Sequence, residues 1–196
     1  MYIRPYIMDS HTTPAPPFGS RAVSRVLQVM ALNPDRPFFV RELARLTGER
    51  VNGVAQALAR LVREGMALTV ELGDRPAYEM RSDYLYLPEI QHIALKSLGI
   101  PELLDAAGVT ALKVAVYGSY ARGDAQEHSD IDVLVVGSEP RPGASETAVA
   151  ELARRVGREI SVTVLDHATY TAQLVHPASF VSAVVAGPTV ELRGKL

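Results

Sequence analysis

The apolar positions of this chain follow a helical period over its first third and form compact runs later. Val23, Val26, Leu27 and Met30 recur at i, i+3, i+4 and i+7, which predicts a helix from a Ser20 cap to about Leu32. Asn33-Pro34 ends it, because proline brings no N–H to the ladder. Leu43, Ala44 and Leu46 mark a short second helix closed by Thr47-Gly48, where glycine supplies a left-handed turn. Val54, Leu58, Leu61 and Val62 define a third helix, from about Val51 to Glu64. Two strand-like runs follow, Ala67–Leu72 and Ala77–Met80, joined through Gly73-Asp74-Arg75-Pro76 as a hairpin.

Residues 83–110 predict a helical connector: Pro88 opens one helix, Gly99 breaks it, and Pro101 starts a second that Gly108 closes. Strands are then expected at Leu112–Tyr117, Ile131–Val136, Ile160–Leu165 and Thr189–Leu192. Helical stretches lie between them, at about Ser145–Val156, Tyr170–Leu174 and Phe180–Val185. This interleaving predicts an α+β fold with a mixed sheet in residues 111–196. Residues 1–19, rich in Pro, Thr and Ser and without a period, read as a flexible tail.

Composition narrows the classes. The chain has 196 residues, 47% of them hydrophobic, enough for one good core or two small ones. No apolar run approaches the ~20 residues of a membrane span, so no membrane partner is expected. No Cys is present, which removes disulfides, thiolate metal sites and cysteine nucleophiles. With no secretory leader visible, a cytoplasmic location is expected. The net charge of -2 hides an asymmetry, since residues 21–82 hold ten Arg against seven acids while residues 111–196 hold eight basic residues against ten acids. Two modules with different partners are implied.

The chemistry concentrates in VAVYGSYARGDAQEHSDIDVLVV, residues 114–136. One strand ends at Gly118-Ser119 and another begins at Asp130-Ile131-Asp132. Residues two apart on a strand share a face, so Asp130 and Asp132 project side by side. Paired carboxylates repel, and a divalent cation with hard oxygen ligands relieves them, which points to Mg²⁺. Gly118 allows close backbone approach to a phosphate, Ser119 offers a hydroxyl, and Arg122 offers a phosphate contact or support for the carboxylates. Tyr117 and Tyr120 flank the turn, with packing as the first use of Tyr120 and base stacking as the other. His128 reads as a loop residue within reach of a phosphate.

This pattern resembles the nucleotidyltransferase signature of the DNA polymerase beta superfamily, and GSYARG…SDID is most similar to the minimal nucleotidyltransferase domains of prokaryotes. The resemblance covers about residues 110–166. It implies that Asp130 and Asp132 hold Mg²⁺ and that Gly118, Ser119 and Arg122 bind the nucleoside triphosphate. It also implies a third carboxylate on a later strand, where this chain has Ser161. Glu159, two residues earlier on the same strand face, is the candidate replacement and completes the catalytic set proposed with Asp130 and Asp132.

Residues 20–82 resemble a winged helix-turn-helix domain in element order. On its third helix Asn52, Gln56, Ala59 and Arg63 form a polar stripe opposite the apolar face, with Arg50 at the N-terminal end. Asn and Gln can read adenine, and Arg reads guanine or binds phosphate. Arg75, at the hairpin, falls where a wing meets a phosphate. The joint expectation is a DNA-binding regulator, dimeric for specific recognition of double-stranded DNA, whose second domain binds Mg-NTP. The alternatives are a toxin–antitoxin type nucleotidyltransferase acting on a protein or RNA, and an inactive scaffold.

Overall fold

The computed structural model describes residues 18–126 and 128–196. Most of the tail expected at residues 1–19 therefore lies outside the described residues. The N-terminal part comprises three helices, α1 (Arg21–Ala31), α2 (Val40–Thr47) and α3 (Val51–Arg63), and a hairpin of β1 (Ala67–Leu72) and β2 (Arg75–Met80). Ser20 caps α1, its Oγ accepting the Val23 N–H at 3.3 Å. Gly48 ends α2 in the left-handed conformation (φ 68°). The hairpin turn is tighter than the sequence suggests: Leu72 pairs directly with Arg75, leaving Gly73-Asp74 as the loop. Phe38 bridges to Tyr78, so the segment before α2 lies against the hairpin. Val26, Leu27, Met30, Leu43, Val54, Leu58 and Leu61 are buried together among these elements. Each such side chain contributes about 1.5–3 kcal/mol by leaving water.

The segment expected as a connector forms α4 (Leu87–Lys96) and α5 (Ile100–Ala106) and feeds both cores. Leu87 and Ile90 join the N-terminal core, whereas Ala94, Leu95, Leu98, Ile100 and Leu104 join the C-terminal one.

The C-terminal part contains β3 (Thr110–Tyr117), α6 (Ser119–Arg122), β4 (Ile131–Ser138), α7 (Ala144–Val156), β5 (Ile160–Leu165), α8 (His167–Leu174), α9 (Phe180–Ala186) and β6 (Val190–Arg193). The sheet order is β5-β4-β3-β6, with β4/β5 parallel and the other pairs antiparallel. It is thus a mixed four-stranded sheet. One face carries Val114, Val116, Ile131, Val133, Val135 and Ile160 and packs with residues of α4, α5 and α7. On the opposite face Val136 packs with Tyr170 of α8 and Val181 of α9. Asp130 and Asp132 belong to this second face, at the start of β4.

A buried polar seam joins the two parts. The Leu32 carbonyl at the end of α1 accepts the Tyr120 hydroxyl at 2.5 Å and the Arg158 Nε–H at 3.1 Å. Asn33 Nδ2 donates to Val29 O and to Val156 O at the end of α7, both at 2.8 Å. Gln91 of α4 donates to Ala31 O at 3.0 Å. Among the described residues no helix is long and apolar enough to cross a membrane.

Candidate nucleotide site

β3 delivers Tyr117 directly opposite Asp132 of β4. The chain then turns through Gly118 with φ 74° and ψ -150°, a conformation essentially restricted to glycine. This turn brings its backbone against the aspartate. A Cβ built on Gly118 would stand 2.5 Å from Asp132 Oδ2. A side chain there would have to displace the carboxylate, so Gly118 and Asp132 are two walls of one cradle. The backbone continues into the short helix α6, with the Arg122 N–H bonded to Gly118 O and the Asp124 N–H to Ser119 O, each at 3.1 Å.

The electrostatics follow from this crowding. Burial, and then the neighbouring Asp130, push the Asp132 carboxyl above the usual aspartate range, against an opposing pull from Arg122. Arg122 is exposed and donates from Nε to Asp124 Oδ2 at 3.0 Å, so the supporting cation is itself oriented by an acid. Asp130 is exposed, while Asp132, Gly118 and Ser119 are half-buried.

The loop before Asp130 is held from below by Arg158. Its Nη1 donates to Gln126 O and Ser129 O, both at 3.3 Å, while its Nε reaches Leu32 O. Ser129 Oγ accepts the Gln126 N–H at 2.9 Å and closes the turn. Beside this loop opens a cleft of about 650 Å³ lined by Asp35, Gln126, His128 and Ser129. Asp35 comes from the segment after α1, so the N-terminal part forms one wall of this cleft. His128 is exposed on its rim.

β5 contributes no acid opposite the aspartates. Its parallel register sets Ser161 across from Asp132. Glu159 lies just before β5, its carbonyl accepting the Ile131 N–H at 2.9 Å, and its side chain is exposed. Among the described residues no three His, Asp or Glu side chains gather in a group that could hold a metal ion.

Tyr120 is fully buried, and burial pushes its hydroxyl up to about 12 despite the opposing Arg158 charge. It is a packing and seam residue, with no face free for a base. Sequence reasoning missed Arg158 and Asp35 altogether. Arg158 carried one legible signal, an arginine just ahead of an apolar strand, but its acceptors are backbone carbonyls that no pattern reveals.

On the N-terminal part, Arg50, Asn52, Gln56 and Arg63 are all exposed on α3 or at its start. Arg50 is the N-cap residue of α3 and makes no side-chain capping bond. Arg75 is exposed too, but its guanidinium lies 4.5 Å over the Phe39 ring, which folds it back toward α2.

Residues 102–175 match the family model described as the nucleotidyltransferase domain. None of the curated proteins matches the chain. Among solved structures, a candidate nucleotidyltransferase from Sulfolobus solfataricus is 23% identical, over 48% of this chain and 82% of that one, with a TM-score of 0.29.

Proposed function

We propose that the C-terminal domain binds a nucleoside triphosphate with Mg²⁺, and that the N-terminal three-helix and hairpin module is a winged helix that carries this domain to double-stranded DNA. The protein would act as a nucleotide-responsive, DNA-bound regulator. The observation that carries the reading is the contact between Gly118 and Asp132. It makes the Gly-Ser turn and the aspartate pair one cradle rather than two unrelated surface features. Two hard oxygen donors side by side, with Asp130 raising the proton affinity of Asp132, suit a divalent cation, and both would hold it. When bound, Mg²⁺ supplies charge neutralisation for a polyphosphate. Gly118 and Ser119 give that polyphosphate its close backbone approach, and Arg122 adds positive charge at the rim.

Ser161 favours binding over transfer. A serine is neither a strong ligand nor a base at neutral pH, so β5 supplies no general base opposite Asp132. A second reading, transfer to a protein or RNA acceptor, draws on the cleft at Asp35 and His128, which leaves room beside the cradle. The DNA-binding part of the reading is supported by the exposed stripe Arg50, Asn52, Gln56 and Arg63 on α3. A homodimer would supply the second half-site for specific recognition.

The test is titration of Mg-NTP into the full chain and into Asp130→Ala/Asp132→Ala, with labelled NTP and cell extract in parallel. Saturable Mg²⁺-dependent binding that the double variant loses, without label transfer, supports the regulator. Label transfer lost in the double variant would replace it with the enzyme reading. Equal behaviour of the two proteins would remove the site assignment altogether.

A further inference from the structure

Helices α8 and α9 cover only part of the sheet face that carries the aspartates. Their buried residues Tyr170 and Val181 sit over Val136, toward the far end of β4. The near end carries Asp132, which is half-buried. At the border stands Phe180, the first residue of α9. Its ring meets the Tyr117 ring edge-on, with centroids 5.5 Å apart and planes at 76°. Tyr117 is the residue paired with Asp132 across β3 and β4. Residues opposite one another in an antiparallel pair share a face, with Cβ atoms about 4.5–5.5 Å apart. Tyr117 therefore links the cradle to Phe180 in one short row: carboxylate, tyrosine, phenylalanine.

Phe180 is 41% exposed, although a large aromatic side chain gains by burial. In a T-shaped pair only one face of one ring is occupied by the partner. Ring surface is left over, on the same side of the sheet as the metal-binding pair.

We infer that the Tyr117–Phe180 pair is the nucleobase subsite, with the base of the bound nucleotide stacking on the exposed Phe180 ring. The inference rests on the triphosphate reading given above. Its ligand chemistry is specific: a flat, weakly hydrated heteroaromatic ring tethered by a ribose to a polyphosphate at Gly118 and Ser119. A stacking contact of this kind tolerates any base, because every base presents a π-face. Selection between bases would have to come from edge contacts, for which Phe180 has no polar atoms.

The experiment compares two ligands, Mg-NTP and magnesium tripolyphosphate, on the full chain and on Phe180→Ala, Phe180→Leu and Phe180→Tyr. Tripolyphosphate lacks the base and reports the cradle alone. Expected is about a tenfold weaker Mg-NTP affinity in Phe180→Ala and Phe180→Leu, with tripolyphosphate unchanged and Phe180→Tyr close to wild type. Phe180→Leu keeps apolar bulk, so it separates stacking from the packing of α9. Equal loss for both ligands would assign Phe180 to the fold, and no loss for either would leave the base elsewhere; each overturns the inference while the triphosphate reading stands. If the wild-type chain binds neither ligand, the triphosphate reading falls, and the base subsite with it.

Discussion

Gly118→Ala tests the cradle most directly, because two separable penalties meet at one atom. The first is local to the backbone. At φ 74° and ψ -150° an alanine carries strain of about 1–3 kcal/mol. For a chain of this size that corresponds to a melting-temperature fall of roughly 2–12 °C. The second is the contact with Asp132. The new Cβ would meet Oδ2 at 2.5 Å, but Cγ and Cβ of Asp132 lie at 3.5 and 3.7 Å, ordinary contact distances. Turning the carboxylate is enough to relieve the overlap, at about 0.5–1.5 kcal/mol for an off-rotamer side chain. The turned carboxylate no longer faces the Gly-Ser backbone, so Mg-NTP binding should be lost although both aspartates remain. A double-mutant cycle with Asp132→Ala isolates the second penalty. Removing that side chain should rescue about 0.5–1.5 kcal/mol of the Gly118→Ala cost and leave the backbone part. Gly123→Ala is the control, since it also demands a positive φ (78°) but its Cβ would meet Pro88 rather than Asp132. It should destabilise without coupling to Asp132. Additive Gly118 and Asp132 effects, or intact nucleotide binding in Gly118→Ala, would refute the shared-cradle argument.

Three further outcomes follow from the same contacts. Asp132→Asn should stabilise the metal-free protein near neutral pH: burial and Asp130 raise the folded-state pKa above the ordinary 3.8, so the ionised group lowers stability as pH rises through the folded value. Urea midpoints against pH should show the gain vanish below 3.8, where the carboxyl is protonated in both states; a gain independent of pH would assign it to something other than the charge. Arg158→Met leaves the carbonyls of Leu32, Gln126 and Ser129 short of a donor and should cost roughly 3 kcal/mol, read by chemical denaturation, together with weaker Mg-NTP binding; a stable variant with weakened binding alone would mean the seam is not structural. Arg50→Ala/Arg63→Ala should lower the slope of log affinity for duplex DNA against log salt by about two units, and an unchanged slope would remove α3 from the interface.

The main elements were legible because their burial is periodic. Val23, Val26, Leu27 and Met30 are all buried on α1, and Ile160–Leu165 forms β5 with the boundaries its apolar run suggests. The aspartate pair and the Gly-Ser turn were legible as types and spacing. Their contact was not, since it depends on the register that puts Tyr117 opposite Asp132 and on one glycine torsion. α6 escaped notice because four residues are too few to show a helical period. The seam was invisible for a different reason. Tyr120 and Arg158 bond the Leu32 carbonyl across 88 and 126 residues of chain, and a backbone acceptor leaves no trace in the side-chain sequence. Arg158 therefore drew no reading of its own, although it is only 8% exposed.

The seam also explains how the cradle keeps its shape without an acid on β5. One side of the cradle is the turn at Gly118-Ser119, followed at once by Tyr120, whose hydroxyl is fixed to Leu32. The other side is the loop leading into Asp130, whose carbonyls at Gln126 and Ser129 are fixed by Arg158. Arg158 bonds the same Leu32 carbonyl. Both sides are thus referred to a single point at the end of α1, a helix of the N-terminal part. A buried carbonyl that loses one of its two donors is left under-satisfied, so each donor holds its own side of the cradle to that shared point. The position of α1 and the spacing between Ser119 and Asp130 are therefore one mechanical variable. Replacing Tyr120 by Phe removes one donor while keeping the ring, and should loosen the turn side alone. Arg158→Met should loosen the loop side as well, and the larger loss of nucleotide affinity is expected there.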